Sequence, residues 1–311
     1  MKPTILLTGK TGQLGSELNR LLPKLGKVIA PERKDLDLLE PEQIRLVMQD
    51  VKPQLVVNAA AYTAVDAAEA DESNALAVNA EAPRLLALEA KKLGAILVHF
   101  STDYVFDGSK KAPYVETDSP NPLNAYGRTK LAGEQAILNS GASHLIFRTS
   151  WVYATHGRNF LLTILRLATE REELRVVDDQ VGAPTCVSDL AETTTRILAN
   201  TLAGADSPFN VSSASGTYHM TAAGQTTWFE FAKAIREEAS QARQSPWLSA
   251  ATNGRPLIAS RVFPISTEEF DSPIRRPAYS VLSNSRLIQT FSVTLPDWRT
   301  QLQRCFSSER G

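Results

Sequence analysis

Along the first half of the chain, short runs of Leu, Val, Ile and Thr alternate with longer segments whose apolar residues recur every three to four positions, the pattern of βαβ units. The runs span residues 4–8, 27–30, 55–58, 95–101 and 145–148. They are apolar almost continuously rather than alternately, which predicts strands covered on both faces, as in a parallel sheet with helices above and below. The intervening segments predict helices over 12–22, 41–51, 74–93 and 123–139. Pro41 stands where a first-turn proline belongs, and Gly94 follows Lys91 and Lys92 as a helix terminator should. After about residue 150 the alternation weakens and Pro, Gly, Ser and Thr punctuate more often, notably over 212–217, 244–255 and 272–279. This second region keeps helical periodicity over 160–170, 189–202 and 227–242, without any repeat.

Composition narrows the classes of function. Thirty-three Lys and Arg against thirty-four Asp and Glu leave no global field of either sign, which argues against a protein that lives on the nucleic-acid backbone. Any anionic ligand must be met by local groups. Cys186 and Cys305 lie far apart with no Cys-x-x-Cys spacing, and the four histidines do not cluster, so a reducing compartment and no structural zinc are expected. No apolar stretch is long enough to span a bilayer and the first apolar run is too short for a secretion signal, so no membrane partner and a cytoplasmic address are expected.

Gly9, Gly12 and Gly15 follow the first strand and open the first helix. Glycines here let the backbone turn tightly and approach a pyrophosphate, while the helix N-terminus offers free N–H groups and a partial positive charge. A structural turn would also explain them, but the strand before and the helix after favour a dinucleotide site. The second strand ends at Glu32-Arg33-Lys34. A carboxylate there accepts bonds from the adenosine ribose and disfavours a 2′-phosphate, while an adjacent arginine does the reverse, so NADPH and NADH both stay open. Asp37 and Leu38 follow within reach of the adenine. Asn58-Ala59-Ala60-Ala61 after the third strand has the small residues that let backbone approach a cofactor.

Tyr126 and Lys130 stand four apart, on one face of a predicted helix. For a tyrosine to exchange protons near neutrality, its phenolate needs roughly 4 kcal/mol of preferential stabilisation, and a nearby ammonium supplies that sign. Such a pair is usually a helix-surface feature. What changes its weight is the fourth strand, which ends in Ser101-Thr102-Asp103, placing hydroxyls that can bind a carbonyl oxygen at a carboxyl strand end. The fold expected is therefore α/β, a doubly wound parallel sheet of the Rossmann kind over 1–150, with a second, smaller α/β substrate domain over 151–311. The helices near 189–202 and 227–242 are the segments that could return to the first domain.

In these motifs, together with segments 148–153 and 179–185, the chain resembles the extended short-chain dehydrogenases/reductases, and among them those that reduce a 4-keto nucleotide sugar. The resemblance covers most of the chain. It implies hydride transfer from NADPH or NADH to the 4-keto carbon of dTDP-6-deoxy-L-lyxo-4-hexulose. It implies that Tyr126 donates the proton, Lys130 tunes the tyrosine and holds the nicotinamide ribose, and Thr102 bonds the same oxygen. Gly9, Gly12, Gln13, Leu14 and Gly15 would meet the pyrophosphate; Glu32, Arg33, Asp37 and Leu38 the adenosine end; Ala61, Tyr62 and Thr63 the nicotinamide half. Asp103 and Trp151 would contact the sugar, whose C–H face packs well on an indole. The resemblance also implies a homodimer, in which Mg²⁺ has been described bridging acidic residues; Glu17 fits one such position, and no metal is assigned. Other readings are a nucleotide-sugar epimerase or dehydratase, or a non-catalytic regulatory subunit like the β subunit of methionine adenosyltransferase. Tyr104 in place of an acid after Asp103 disfavours elimination, and the intact Thr102, Tyr126 and Lys130 disfavour a regulatory role.

Overall fold

The computed structural model describes residues 2–202, 214–242 and 245–307. Strands β1 (Thr4–Thr8), β2 (Lys27–Ile29), β3 (Leu55–Asn58), β4 (Ile96–Thr102) and β5 (His144–Thr149) form a parallel sheet that a sixth strand, Gly216–His219, extends beyond β5. The spatial order is Gly216–His219, β5, β4, β3, β1, β2. From β1 the chain moves out to β2 and then returns across β1 to β3, so the direction of winding reverses between β1 and β3. Ligands of such sheets bind outside the carboxyl ends at this switch point.

Successive strand residues face opposite sides and build two cores. Ile5, Leu7, Val57, Val98, Phe100, Leu145 and Phe147 pack on helices Gln13–Leu21 and Val187–Leu202, through Leu18, Leu21, Leu190 and Ile197. Leu6, Val56, Leu97 and Ile146 pack on helices Pro41–Val51, Ala82–Leu93 and Ala125–Ser140, through Ile44, Met48, Leu86 and Ile137. Each of these fully buried side chains contributes roughly 1.5–3 kcal/mol relative to exposure, which makes the strand ends a stiff platform. A separate cluster built on Tyr153, Leu161, Leu165, Phe231, Ile235, Trp247 and Phe306 stands beside the sheet, and helix Trp228–Gln241 belongs to it.

Three local departures from the sequence pattern have physical causes. The predicted helix over 74–93 is broken into Glu72–Leu76, a π-turn at Ala77–Glu81, and Ala82–Leu93. Pro83 has no N–H to give to the Asn79 carbonyl, so a regular helix cannot run through. The segment 212–217 reads as a loop, yet Gly216 and Thr217 begin the sixth strand; Ser212 and Ser213 lie outside the described residues. Among the described residues this strand pairs on one side only, and it is too polar to look like a core strand. Finally, Cys186 and Cys305 are not disulfide-bonded, yet their sulfurs meet at 3.3 Å in the second cluster, a proximity that their sequence separation conceals. No helix among the described residues is long and apolar enough to cross a membrane.

Candidate active site

A cleft of about 950 Å³ opens along the carboxyl ends of the sheet. Every candidate cofactor, substrate and catalytic residue named from the sequence lines it, with the exception of Gly15. Gly15 lies just beneath, where a Cβ would fall 1.9 Å from the Gly9 carbonyl oxygen; only hydrogen lets the first helix start this close to the turn. Gly9 has φ +74° and backs onto Ala59 and Ala60, with a Cβ there 2.6 Å from the Ala60 nitrogen. The glycine turn and the small residues after β3 thus fit each other and leave the helix N-terminus, with its partial positive charge, facing the cleft.

A loop from the second half clasps this turn. Asn159 Nδ2 donates to Gln13 Oε1 at 2.7 Å, Gln13 Nε2 donates to the Arg158 carbonyl at 3.3 Å, and Ser16 Oγ meets His156 Nε2 at 2.9 Å. Arg158 therefore reaches the cleft, and Lys10 lines it too. Neither cation stood out in the sequence. Arg148, near the carboxyl end of β5, is locked to buried Glu134 by two bonds of 2.9 and 2.6 Å and is not available to a phosphate. After β2, Glu32 lies 3.6 Å from Lys10 and 3.4 Å from Lys34, while Arg33 pairs with Asp37 at 3.2 Å. The Leu39 N–H, and after it Arg33, hold the Asp37 carboxyl below its ordinary range. Carboxylate and cations interleave here, so a ribose hydroxyl and a 2′-phosphate both find partners. The turn, the helix end and these flanking groups fit a nicotinamide dinucleotide.

The catalytic candidates converge on helix Ala125–Ser140. Asn124 caps it, its side-chain oxygen accepting the Gly127 N–H at 2.9 Å, which is why the helix starts two residues later than the apolar spacing suggests. Two glycines then allow a close approach: a Cβ on Gly127 would stand 2.2 Å from the Tyr104 carbonyl oxygen, and one on Gly133 would stand 2.0 Å from that of Asn79. Tyr126 and Lys130 are thereby driven into the strand ends. Tyr104 packs edge-on to Tyr126, with centroids 5.7 Å apart. Thr102 Oγ1 donates to Asp103 Oδ1 at 3.1 Å and accepts the Tyr104 N–H at 3.1 Å.

The electrostatics differ from a simple tyrosine and ammonium pair. Burial pushes the Tyr126 phenol up to about 12, opposed by its hydrogen-bond partner Thr102. Burial also pulls Lys130 down to about 8, against the attraction of Glu134. Lys130 Nζ donates to the Phe100 carbonyl at 2.6 Å and lies 3.2 Å from His99 Nε2. The tyrosine is thus held as an acid. Asp103, buried on the same turn, is raised to about 7 by desolvation. Sequence reasoning missed His99, which sits inside an apolar run and reads as core.

It also missed Asn79. Buried in the π-turn, Asn79 accepts the Tyr62 N–H at 2.9 Å and donates to the Tyr62 carbonyl and to Thr129 Oγ1, each at 3.1 Å, so it fixes the loop after β3 to helix Ala125–Ser140. Trp151 lines the cleft in a left-handed conformation, φ +46°, packed on Gly182 and stacked on Trp228. Glu17 is paired with Arg20 at 2.6 Å, and no group of three metal-ligating side chains occurs among the described residues.

Proteins that set a tyrosine and a lysine one helical turn apart at the switch point of such a sheet are short-chain dehydrogenases/reductases, and the added second cluster makes this one of the extended type. Within that class the chain belongs to the family described as RmlD substrate binding domain, which it matches over residues 1–310. It is 49% identical over 305 residues to a dTDP-4-dehydrorhamnose reductase of Burkholderia thailandensis, covering 97% of each chain. It is 43% identical over 304 residues to one from Escherichia coli, covering 96% of each. Among solved structures, a dTDP-4-dehydrorhamnose reductase from Bacillus anthracis in complex with NADP matches with a TM-score of 0.86 at 36% identity, covering 99% of each chain.

Proposed function

We propose that this protein is an NAD(P)H-dependent oxidoreductase that reduces the 4-keto group of dTDP-6-deoxy-L-lyxo-4-hexulose to give dTDP-L-rhamnose. The reading is carried by Tyr126, a partly buried phenol beside Thr102 in a dinucleotide cleft, kept protonated at neutral pH by desolvation. It is supported by full-length similarity to reductases of that name.

The bound dinucleotide supplies the hydride. As the carbonyl carbon gains it, negative charge grows on O4, and Tyr126 donates its proton there to yield the alcohol. Thr102 orients the phenol and presents its hydroxyl to the same oxygen, once that hydroxyl turns from Asp103. Lys130 holds the nicotinamide ribose. Gly9, Gly12, Gln13, Leu14 and Gly15 receive the pyrophosphate, with Glu32, Arg33, Asp37 and Leu38 at the adenosine end and Ala61, Tyr62 and Thr63 near the nicotinamide. Asp103 and Trp151 face the sugar. In this reading residues 1–150 carry the cofactor and most of 151–311 close over the sugar nucleotide. A cytoplasmic location and a homodimer belong to the same reading; cell fractionation and light scattering test them.

The experiment is to follow nicotinamide absorbance when purified protein meets the 4-keto sugar nucleotide with NADPH and, separately, NADH. Consumption of either supports the assignment and their ratio ranks the cofactors. No consumption, where cofactor binding is demonstrated, refutes it.

A further inference from the structure

Cys186 ends the short strand Thr185–Cys186 and is followed at once by helix Val187–Leu202, while Cys305 lies near the end of helix Trp298–Ser307. Their Sγ atoms are 3.3 Å apart, and the two residues are only 2% and 7% exposed. Several contacts hold them in this approach. Gln301, fully buried and one helical turn before Cys305, accepts the Cys186 N–H through Oε1 at 2.8 Å and donates from Nε2 to the Pro296 carbonyl at 2.9 Å. Residues four apart share one helix face, so a single face of helix Trp298–Ser307 meets Cys186 at both its backbone and its sulfur. Arg304 Nη1 donates to Asp189 Oδ1 at 3.4 Å, and Trp298 and Phe306 pack on Phe231 and Trp247. The sulfurs stand roughly 1.2 Å farther apart than a disulfide requires, a gap that side-chain torsions can close while the Gln301 bond holds.

The two thiols are not equivalent. Cys186 stands at the N-terminus of a 16-residue helix, whose partial positive charge favours a thiolate, and its sulfur lies 3.1 Å from Ser188 Oγ. The hydrogen bond from Cys305, together with those from the Ser188 hydroxyl and N–H, holds the Cys186 thiol below its ordinary value against desolvation. The same bond, and burial after it, push the Cys305 thiol well up, so Cys305 keeps its proton. Asp189 opposes a Cys186 thiolate but is paired with Arg304. Tyr153, opposite Cys186 in the strand pairing, is held neutral by burial. A nucleophilic sulfur is thus set against a sulfur that carries a proton.

We propose that Cys186 and Cys305 are a dithiol oxidised by hydrogen peroxide, and that the resulting disulfide latches helix Trp298–Ser307 onto the second cluster. The Cys186 thiolate attacks one peroxide oxygen: the S–O bond forms, the O–O bond breaks, hydroxide leaves, and the sulfur loses two electrons to become a sulfenic acid. The Cys305 sulfur then attacks the Cys186 sulfur. The S–S bond forms, the S–O bond breaks, and the departing hydroxide takes the Cys305 proton as water. In sum, two thiols and one peroxide give one disulfide and two waters. Peroxide is little larger than water, which suits sulfurs this buried. The disulfide joins residues 119 apart and so restricts the unfolded chain over a long loop. It also ties the helix to the strand whose Thr185 N–H donates to the Trp151 carbonyl at 3.2 Å. None of this depends on the reaction the protein catalyses.

The test uses full-length protein, reduced, freed of reductant and exposed to a small excess of hydrogen peroxide. The intact mass should fall by two hydrogens, and non-reducing peptide mapping should join the Cys186 and Cys305 peptides. The melting temperature should rise by about 3 °C or more, and a thiol reductant should reverse all three changes. Cys305→Ser should stop at a sulfenic acid on Cys186 that dimedone traps, whereas Cys186→Ser should leave Cys305 unoxidised. An unchanged mass, oxygen added to wild-type cysteine without linkage, linkage between two chains, or linked protein that melts no higher overturns the proposal. So does a sulfenic acid that forms on Cys305 instead. Should either serine variant fail to fold, the wild-type mass, peptide map and melting temperature decide alone.

Discussion

The indole of Trp151 lies flat on that of Trp228, with ring centroids 3.4 Å apart and planes 4° from parallel. Phe160 packs on Trp228, with ring centroids 4.4 Å apart. The left-handed backbone at Trp151 costs about 1–2 kcal/mol, and the packing around the indole sustains it. Trp228 therefore sets the position of the Trp151 indole. An aromatic pair of this kind contributes about 0.5–1.5 kcal/mol beyond area burial, so Trp228→Leu should raise the sugar-nucleotide KM about two- to tenfold. Dinucleotide affinity should hardly move. Steady-state kinetics with each substrate varied in turn checks this, and an equal loss for both substrates would contradict it.

Gly9→Ala should abolish tight dinucleotide binding. The added methyl would meet the Ala60 nitrogen at 2.6 Å from a backbone with φ +74°, so strain and clash push the turn away from the pyrophosphate position. Fluorescence titration with NADPH should show affinity reduced by more than about tenfold, the equivalent of 1.4 kcal/mol.

Arg148 and Glu134 form a bidentate pair with side chains only 6% and 2% exposed. Removing one partner leaves an uncompensated buried charge, so Glu134→Ala should cost about 3–5 kcal/mol in urea unfolding. Replacing Lys233 of the exposed Lys233–Glu230 pair should cost less than about 1 kcal/mol.

Asp103 gives a pH dependence of stability with a definite sign. Its folded-state value is raised to about 7, chiefly by desolvation, so between about pH 4 and pH 7 the folded state binds more protons than the unfolded one. The stability it contributes is complete below its unfolded value and is lost as pH rises to 7, an effect on the order of 4 kcal/mol. Asp103→Asn should flatten that slope. Urea midpoints at about pH 5 and about pH 8 should lie closer together in the variant than in the wild type.

Much of this was legible in sequence for identifiable reasons. Strands β1 and β3–β5 carry continuous apolar runs because both their faces are covered, and the glycine turn and the Tyr126–Lys130 spacing are local patterns. What stayed hidden depends on register and on tertiary partners. Asn58 and His99 become neighbours only through strand pairing, Asn79 gains its role from a π-turn that Pro83 provokes, and Arg148 is withdrawn from ligand chemistry by a glutamate on another element. The stacking of Trp228 on Trp151 is a tertiary contact that no local pattern encodes. The expectation that an ammonium lowers the Tyr126 phenol likewise omitted desolvation, which acts more strongly on both groups and in the opposite sense.

The most direct test of the central assignment is isotopic. Protein supplied with the 4-keto sugar nucleotide and nicotinamide cofactor deuterated at the transferred position should yield dTDP-L-rhamnose carrying deuterium at C4, seen by mass spectrometry and NMR. Tyr126→Phe should form it slower by about 10²-fold or more while still binding cofactor. Unlabelled product, product labelled elsewhere on the sugar, or undiminished turnover in Tyr126→Phe would contradict a direct hydride transfer completed by that tyrosine.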